Sequence, residues 1–285
     1  MSLVKSDTPG TLIGSGRVAL VLEYNGSRYH GWQSQKSGLP TVQQHLEEAL
    51  SKVANHPIEV VCAGRTDAGV HASHQVVHFE TPVTRAQRSW VMGANANLPS
   101  DISVHWVGNV KDSFHARFSA KNRRYRYVIY NNPIRPALYN KEVTWNYRPL
   151  DEVKMARAAE CLVGEHDFSS YRAAGCQAKS PIRTLDFLNI RRFSDFVIID
   201  IQANAFLHHM VRNISGVLMA IGSGCKNENW AEEVLHAKDR SAGGVTAPPY
   251  GLYFVNVGYD EGDIPQVELG PSLIRPYYLL DQVKC

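Results

Sequence analysis

Residues 58–80 read IEVVCAGRTDAGVHASHQVVHFE and place a polar loop between two apolar runs. The β-branched and aromatic residues on both sides of the loop are typical of strands. Two glycines bracket the triplet at 65–67, and glycine permits backbone angles that a tight loop requires. The stretch therefore predicts strands over 58–63 and 75–80, joined by a loop that presents Asp67.

Asp67 has two interpretations on spacing alone. A carboxylate between two flexible positions, with the guanidinium of Arg65 two residues upstream, is a candidate reactive centre. The alternative is an ordinary turn in which the aspartate side chain binds its own backbone. Evidence from the rest of the chain decides between them.

The composition is that of a globular protein with one large domain or two small ones, since 44% of the 285 residues are apolar and 20% are charged. No segment reaches the roughly 18 uninterrupted apolar residues of a membrane span. Residues 1–16 lack the apolar core of a signal peptide and are predicted to be a disordered leader. We therefore expect a cytoplasmic protein without a membrane partner. The five cysteines are never spaced as CxxC, which disfavours a disulfide framework or a cysteine-rich zinc site.

Positive charge is concentrated although the net charge is only +3. Residues 113–141 and 168–185 contain no acidic residue. The basic residues of the first segment are Arg117, Lys121, Arg123, Arg124, Arg126, Arg135 and Lys141. Such segments predict a basic face for a polyanion. The alternative is a solvated surface whose charge is balanced by acids elsewhere in the fold.

The order of predicted elements is the same in the two halves of the chain. In the first half we expect strands over 17–24, 58–63, 75–80 and 102–110, and helices over 41–54 and 84–96. In the second half we expect strands over 124–131, 184–193, 196–204 and 252–258, and helices over 151–163 and 206–223.

Each half thus follows a β-α-β-β-α-β order, which predicts an α+β fold of two ferredoxin-like domains, 17–115 and 116–259. We expect mostly antiparallel sheets joined into one extended sheet, with an active-site cleft between the domains. The tail 260–285 has no assigned role.

Several ordered blocks carry a family resemblance, and they are residues 23–26, 31–33, 63–71, 114–120, 124–127, 204–213 and 251–253. Through them, the chain from Arg17 to about Tyr259 resembles bacterial tRNA pseudouridine synthases of the TruA type. The resemblance implies an isomerase that converts uridine to its C-linked isomer in the anticodon stem-loop of tRNA, at positions 38 to 40. It also implies no cofactor, no metal, and a homodimer that binds the tRNA.

The resemblance assigns the nucleophile to Asp67. A carboxylate suits the task because its ordinary pKa of about 3.9 leaves it ionised at pH 7 without an activating base. Attack at the ribose C1′, attack at C6 of the ring and removal of the 2′ proton all remain open as chemical routes. Arg65 is assigned to RNA binding and to flipping the nucleotide out of its stem.

Two further residues complete the implied site. Tyr125 corresponds to the tyrosine that stacks on the target base and takes part in proton transfer. Arg212 corresponds to a basic residue that pairs with the catalytic carboxylate; the alternative is a surface arginine bound to phosphate or to a local acid. Alternation along the strand predicts Tyr125 and Tyr127 on one face, with Tyr127 in the core, and Arg124 and Arg126 on the other.

The basic residues are predicted to bind tRNA phosphates, which position the RNA rather than read its sequence. These residues are Arg117, Lys121, Arg123, Arg124 and Arg126.

Two other classes of function compete with this interpretation. The first is a catalytically inactive RNA-binding or tRNA-folding protein of the same fold, which would not need the triplet at 65–67. The second is a metal-dependent hydrolase that uses His71, His74 and His78, although their spacing does not match a zinc-binding helix.

Overall fold

The protein divides into two compact units in a computed structural model, which describes residues 11–36, 38–260, 262, 264 and 265. The first unit comprises the described residues up to Lys121 together with those from Val257 onward, and the second comprises Asn122–Asn256. Residues 116–121 stay with the first unit because the Lys121 amide donates to the Gly258 carbonyl. The predicted boundary after residue 115 falls earlier.

In the described part of the chain, no helix is long and apolar enough to cross a membrane.

The first unit is a three-stranded antiparallel sheet with two helices and three very short strands. Its elements are β1 (Leu12–Ile13), β2 (Gly16–Tyr24), α1 (Val42–Ala54), β3 (Val61–Cys62), β4 (His71–Thr81), β5 (Arg85–Ala86), α2 (Gln87–Asn97) and β6 (Ile102–Asn109). Strand β2 lies between β4 and β6 and is antiparallel to both, and β3 pairs with β4. The central position of β2 follows from its continuous apolar run over 18–22, which is buried throughout.

Helix α1 forms where the sequence predicts it. The Thr41 side chain accepts a hydrogen bond from the Gln44 amide and so caps the first turn. Leu46 and Leu50 are fully buried at helical spacing, which places the apolar face of α1 in the core of the unit.

Several predicted boundaries in this unit are wrong. Strand β4 begins at His71, four residues before the predicted start at 75. The strand over 58–63 shortens to β3 because side chains of α1 take its backbone donors: Glu47 Oε1 accepts from the Val60 amide at 3.0 Å, and Ser51 Oγ accepts from the Ile58 amide at 2.8 Å. The helix predicted from 84 begins at Gln87, since β5 pairs with β1. That pairing also shows that the prediction of a disordered leader over 1–16 is wrong for residues 12 and 13. Residues 1–10 lie outside the described residues.

The second unit is a larger α+β unit. Its elements are β7 (Asn122–Asn131), β8 (Thr144–Asn146), α3 (Glu152–Ala159), β9 (Gly164–Asp167), β10 (Ile182–Phe193), β11 (Phe196–Ala203), α4 (Met210–Gly222), α5 (Trp230–Ala237) and β12 (Leu252–Gly258), whose last two residues count with the first unit. Strands β7, β11, β10 and β9 are successive antiparallel neighbours, and β8 pairs with β7 in parallel. The predicted α+β class is confirmed in both units.

The helix predicted from residue 206 is wrong at its start, because α4 begins at Met210. The residues before it form a turn: the Met210 amide donates to the Leu207 carbonyl, and the His208 carbonyl accepts from the Ala173 amide. His209 has a φ of 61°, which no α-helical residue adopts. The predicted helix over 151–163 also ends early, at Ala159, and a 3-10 turn follows over Glu160–Leu162. Strands β8 and β9 and helix α5 are not among the predicted elements.

Candidate active site

Asp67 lies on the loop between β3 and β4, in the first unit. Its side chain is half-buried, whereas Arg65 is exposed. The Val70 amide donates to the Asp67 carbonyl at 3.1 Å and closes the turn that presents the carboxylate. The predicted loop is therefore confirmed, and it holds the aspartate and the arginine two residues apart on an ordered turn.

Polar side chains from the neighbouring strands bind this loop. The Tyr24 hydroxyl of β2 shares a hydrogen bond of 2.8 Å with Thr66 Oγ1, and Gln75 Nε2 of β4 donates to the Gly64 carbonyl at 2.7 Å. Burial raises the pKa of Tyr24, so its hydroxyl is neutral. These bonds fix the backbone on the N-terminal side of the carboxylate.

The segment after β2 covers the loop through its backbone. The Trp32 amide donates to the Thr66 carbonyl at 3.0 Å, and the Gly69 amide donates to the Tyr29 carbonyl at 3.3 Å. A Cβ atom on Gly26 would lie 1.9 Å from the Val70 carbonyl oxygen, so only glycine fits there. The sequence blocks 23–26 and 31–33 thus serve to hold the loop.

Two of the three histidines of β4 bind backbone amides. His71 Nδ1 accepts a hydrogen bond from the Gly26 amide at 3.0 Å, and His78 Nδ1 accepts from the Ala116 amide at 3.1 Å. Burial lowers the pKa of His74 to about 4. The ring nitrogens of His71 and His78 are thus engaged with the backbone, as expected for residues that support the fold.

Tyr125 lies on β7 in the second unit and is 8% exposed. Its ring stacks on Phe254 with centroids 4.8 Å apart, and Phe206 packs against it edge-on at 5.1 Å. Tyr127 is fully buried, as predicted, and its hydroxyl donates to the Pro248 carbonyl. Two aromatic neighbours therefore fix the plane of the Tyr125 ring.

Arg212 lies in the first turn of α4, also in the second unit, and is half-buried. Its Nε donates to the Ala247 carbonyl at 2.9 Å, and its own carbonyl accepts from the Ala247 amide at 3.1 Å. Its charge also opposes the effect of burial on the pKa of Tyr127. Arg212 binds Ala247 and Tyr127 binds the adjacent Pro248, so Arg212 lies near the face of β7 that carries Tyr125 and Tyr127. Asp67 belongs to the other unit.

The predicted phosphate contacts separate into two groups. Arg126 is only 2% exposed and donates to Asp200 Oδ2 at 3.1 Å, while Arg124 binds both oxygens of Asp200, at 2.7 and 2.6 Å. Arg126 is thus a buried partner of an aspartate, which corrects its prediction as an RNA contact. The shared partner confirms that Arg124 and Arg126 point to the same face of β7.

The other three predicted RNA contacts lie nearer to solvent. Arg117 is exposed, and Lys121 is exposed with Asp260 Oδ1 at 3.5 Å from its Nζ. Arg123 is half-buried and donates to the Asn204 carbonyl at 3.1 Å. These side chains stay predictions as RNA contacts.

Sequence reasoning did not identify Tyr24, Gln75 and Asp200. Asp200 interrupts β11, whose other residues are mostly apolar, and a buried polar residue of that kind needs a specific partner. That signal was available in the sequence, but the identity of the partner was not.

The comparisons with known proteins agree on one family. The family model described as tRNA pseudouridine synthase matches residues 20–119 and 158–260. The chain is 60% identical over 262 residues to tRNA pseudouridine synthase A of Pseudomonas aeruginosa, and the alignment covers 92% of each protein. It is 57% identical over 259 residues to the protein of that name from Coxiella burnetii, over 90% of this chain and 99% of the relative.

Among solved structures, the chain matches an archaeal box H/ACA Nop10-Cbf5 complex over 84% of this chain and 58% of that one. The TM-score of 0.32 and the identity of 10% are too low to relate the two folds. The sequence matches, in contrast, extend over nearly the whole chain at high identity. The chain therefore belongs to the tRNA pseudouridine synthase family, a family of isomerases.

Proposed function

We propose that this protein converts uridine to pseudouridine in the anticodon stem-loop of tRNA, at positions 38 to 40. The reaction breaks the bond between N1 and C1′, turns the uracil and joins C5 to C1′. A proton leaves C5 and N1 gains one, so that the product is an isomer of the substrate. The observation that carries the proposal is the ordered loop that presents Asp67, in a chain 60% identical to tRNA pseudouridine synthase A.

Asp67 is the proposed nucleophile, and Tyr125 and Arg212 are proposed to act on the same uridine. The half-buried carboxylate of Asp67 is ordered by its loop, which favours a defined direction of attack. The packed ring of Tyr125 suits stacking on a flipped base, and such stacking offsets part of the cost of flipping. The charge of Arg212 would keep a carboxylate ionised and oriented.

The proposed substrate explains the exposed basic residues. Arg65 and Arg117 are exposed in the first unit, and phosphate groups are the natural partners of exposed guanidinium groups in an RNA-binding enzyme. We propose that the enzyme acts as a homodimer in the cytoplasm, where tRNA is available, and that it needs no metal or cofactor.

The test is to map pseudouridine in tRNA before and after incubation with the purified protein. We expect new pseudouridine at positions 38 to 40 with the wild type and none with Asp67→Asn, which keeps the shape of the side chain but removes its charge. Asp112→Asn is the matched control, since it removes an exposed carboxylate in the same unit. Substantial activity in purified Asp67→Asn would refute the role of the nucleophile.

The same assay separates an enzyme from an inactive RNA-binding protein of this fold. An inactive protein would bind tRNA and leave every uridine unchanged. Tyr125→Phe adds a second criterion: we expect strongly reduced turnover with tRNA binding retained, and an unchanged rate would show that the hydroxyl is dispensable. A chelator that abolishes the activity would favour a metal-dependent reaction instead.

A further inference from the structure

Phe118 is an aromatic residue that the fold leaves 76% exposed. It lies in the turn after Phe114, in the first unit, and the guanidinium carbon of Arg117 is 5.7 Å from its ring centroid. The ring is thus large and apolar, and it lies next to a cation in a segment without acidic residues. The surroundings of this ring therefore indicate what it binds.

Four hydrogen bonds hold the turn that carries Phe118. His115 Nδ1 accepts from the amides of Arg117 and Phe118, each at 3.2 Å. Ser119 Oγ accepts from the His115 amide at 2.9 Å, and the Ser119 amide donates to the His115 carbonyl at 2.8 Å. Because the backbone is already ordered, a ligand of the ring meets a preorganised surface and loses less entropy on binding.

A row of aromatic rings supports the exposed ring from beneath. The centroid of the His115 ring lies 4.3 Å from that of Phe118 with an interplanar angle of 32°, and the His78 ring lies 4.7 Å from His115. Burial, aided by the charge of Arg17, lowers the pKa of both histidines. The charge of Glu80 opposes this effect at His78, and the charge of Arg117 adds to it at His115. The row is therefore uncharged at pH 7. One face of the Phe118 ring is thus backed by His115, while most of the side chain stays exposed.

The turn also lies close to the Asp67 loop. Cys62 directly precedes that loop, and its burial raises the pKa of its thiol to about 12. The charges of Arg65 and Arg117 both oppose this rise. The contact itself is a hydrogen bond, which the Ala116 amide, beside Arg117, donates to His78 Nδ1 of β4 at 3.1 Å. His78 pairs with Val61, the residue before Cys62. Arg117, which lies beside Phe118 in the turn, is therefore near the start of the Asp67 loop.

We infer that Phe118 is a base-stacking residue, whose exposed ring receives an unpaired base of the tRNA while Arg117 binds a neighbouring phosphate. The inference rests on the proposed function for the identity of the RNA. Stacking on an aromatic ring tolerates any base, because every base has a π face. A protein partner is disfavoured because the core of a protein interface is an apolar patch, whereas Phe118 lies between the polar residues Arg117 and Ser119.

The test measures the dissociation constant of a tRNA transcript in an Asp67→Asn background, where no chemistry follows binding. We expect Phe118→Ala to weaken binding by about 10-fold, with an unchanged dependence on salt, since a neutral ring releases no counterions. Phe118→Tyr should bind as wild type. Phe118→Leu should bind as weakly as Phe118→Ala, because it keeps apolar area but loses the π face.

Met92→Ala is the matched control, since Met92 is an exposed apolar residue of α2 in the same unit and should leave binding unchanged. Equal affinities for the Ala, Leu and Tyr variants would overturn the inference. Photo-crosslinking from benzoylphenylalanine at position 118 gives a direct readout: we expect a cross-link to one or a few unpaired nucleotides. A cross-link to a second copy of the chain instead would overturn it in favour of a protein contact.

The outcome is distinguishable from failure of the proposed function. If wild-type protein forms pseudouridine and the Phe118 variants bind equally well, only the inference fails. If the variants differ as expected while no uridine changes, only the proposed activity fails.

Discussion

The Tyr24 hydroxyl and Thr66 Oγ1 lie 2.8 Å apart, in a hydrogen bond that is buried next to Asp67. Thr66 is 8% exposed, and its carbonyl accepts from the Trp32 amide as well. Gln75 adds a third restraint through the Gly64 carbonyl. The loop that presents Asp67 is thus attached to β2 and β4 by buried side chains, and its geometry depends on them.

Tyr24→Phe removes one hydroxyl and leaves that of Thr66 without its partner. We expect the free energy of unfolding to fall by about 1 to 2 kcal/mol and turnover to fall several-fold, with tRNA affinity unchanged. Urea denaturation and single-turnover pseudouridine assays measure the two effects. Tyr147→Phe, at an exposed tyrosine, is the control and should change neither. A normal turnover in Tyr24→Phe would show that the loop holds its shape without this bond.

Gly26→Ala tests the close approach of the segment after β2 to the loop. The added methyl carbon would lie 1.9 Å from the Val70 carbonyl oxygen, so the backbone must shift. We expect a loss of at least about 2 kcal/mol of stability and a larger loss of turnover than of tRNA binding. Gly175→Ala is the control, because a Cβ there meets no atom within 4 Å. Equal melting temperatures for the two variants would contradict the packing described.

Arg126 and Arg117 should respond in opposite ways to loss of charge. Arg126→Gln weakens a buried ion pair with Asp200, and we expect it to cost about 3 kcal/mol of stability without altering the salt dependence of tRNA binding. Arg117→Gln should leave stability unchanged and lower the slope of log K against log salt by about 0.7 to 0.9.

Arg88→Gln provides the control for these charge variants, since Arg88 is an exposed arginine of α2. It should change neither stability nor slope. Titrations of tRNA binding between 50 and 200 mM salt measure the slopes. A reduced slope in Arg126→Gln would support the original prediction that Arg126 binds RNA.

His74 makes stability depend on pH. Burial lowers its pKa to about 4, and the charge of His105 acts in the same direction, whereas an unfolded histidine has a pKa of about 6.5. The unfolded chain therefore binds the proton more tightly, so stability is full above about pH 6.5 and falls as the pH drops toward 4, by up to about 3 kcal/mol for this group.

His74→Leu should reduce the fall in stability between about pH 6.5 and 5, where few carboxyl groups titrate. The remaining fall should come from His78, whose pKa burial also lowers to about 4. Urea denaturation at several pH values in that interval measures the slope. His236→Leu, at an exposed histidine of α5, should keep the wild-type slope. An identical slope in His74→Leu would mean that other groups cause the fall.

Element order and type were predictable wherever the signal is local. The cap at Thr41 and the β-branched and aromatic residues within 75–80 are local signals, and both the helix and the strand form. The start of α4 was not predictable, because residues 206–209 continue the helical pattern. Their carbonyls bond within a turn and to Ala173, which is distant in sequence.

The sequence by itself determined the family, the α+β class and the loop that presents Asp67, because motif blocks, periodicity and glycine spacing are local properties of the chain. Only the tertiary structure decided that Arg126 is buried and that Phe118 is exposed. Burial depends on which distant elements cover a side chain: Asp200, 74 residues after Arg126, converts a predicted RNA contact into a core ion pair. The rings of His78 and His115 support Phe118 from one side and leave it open to a ligand.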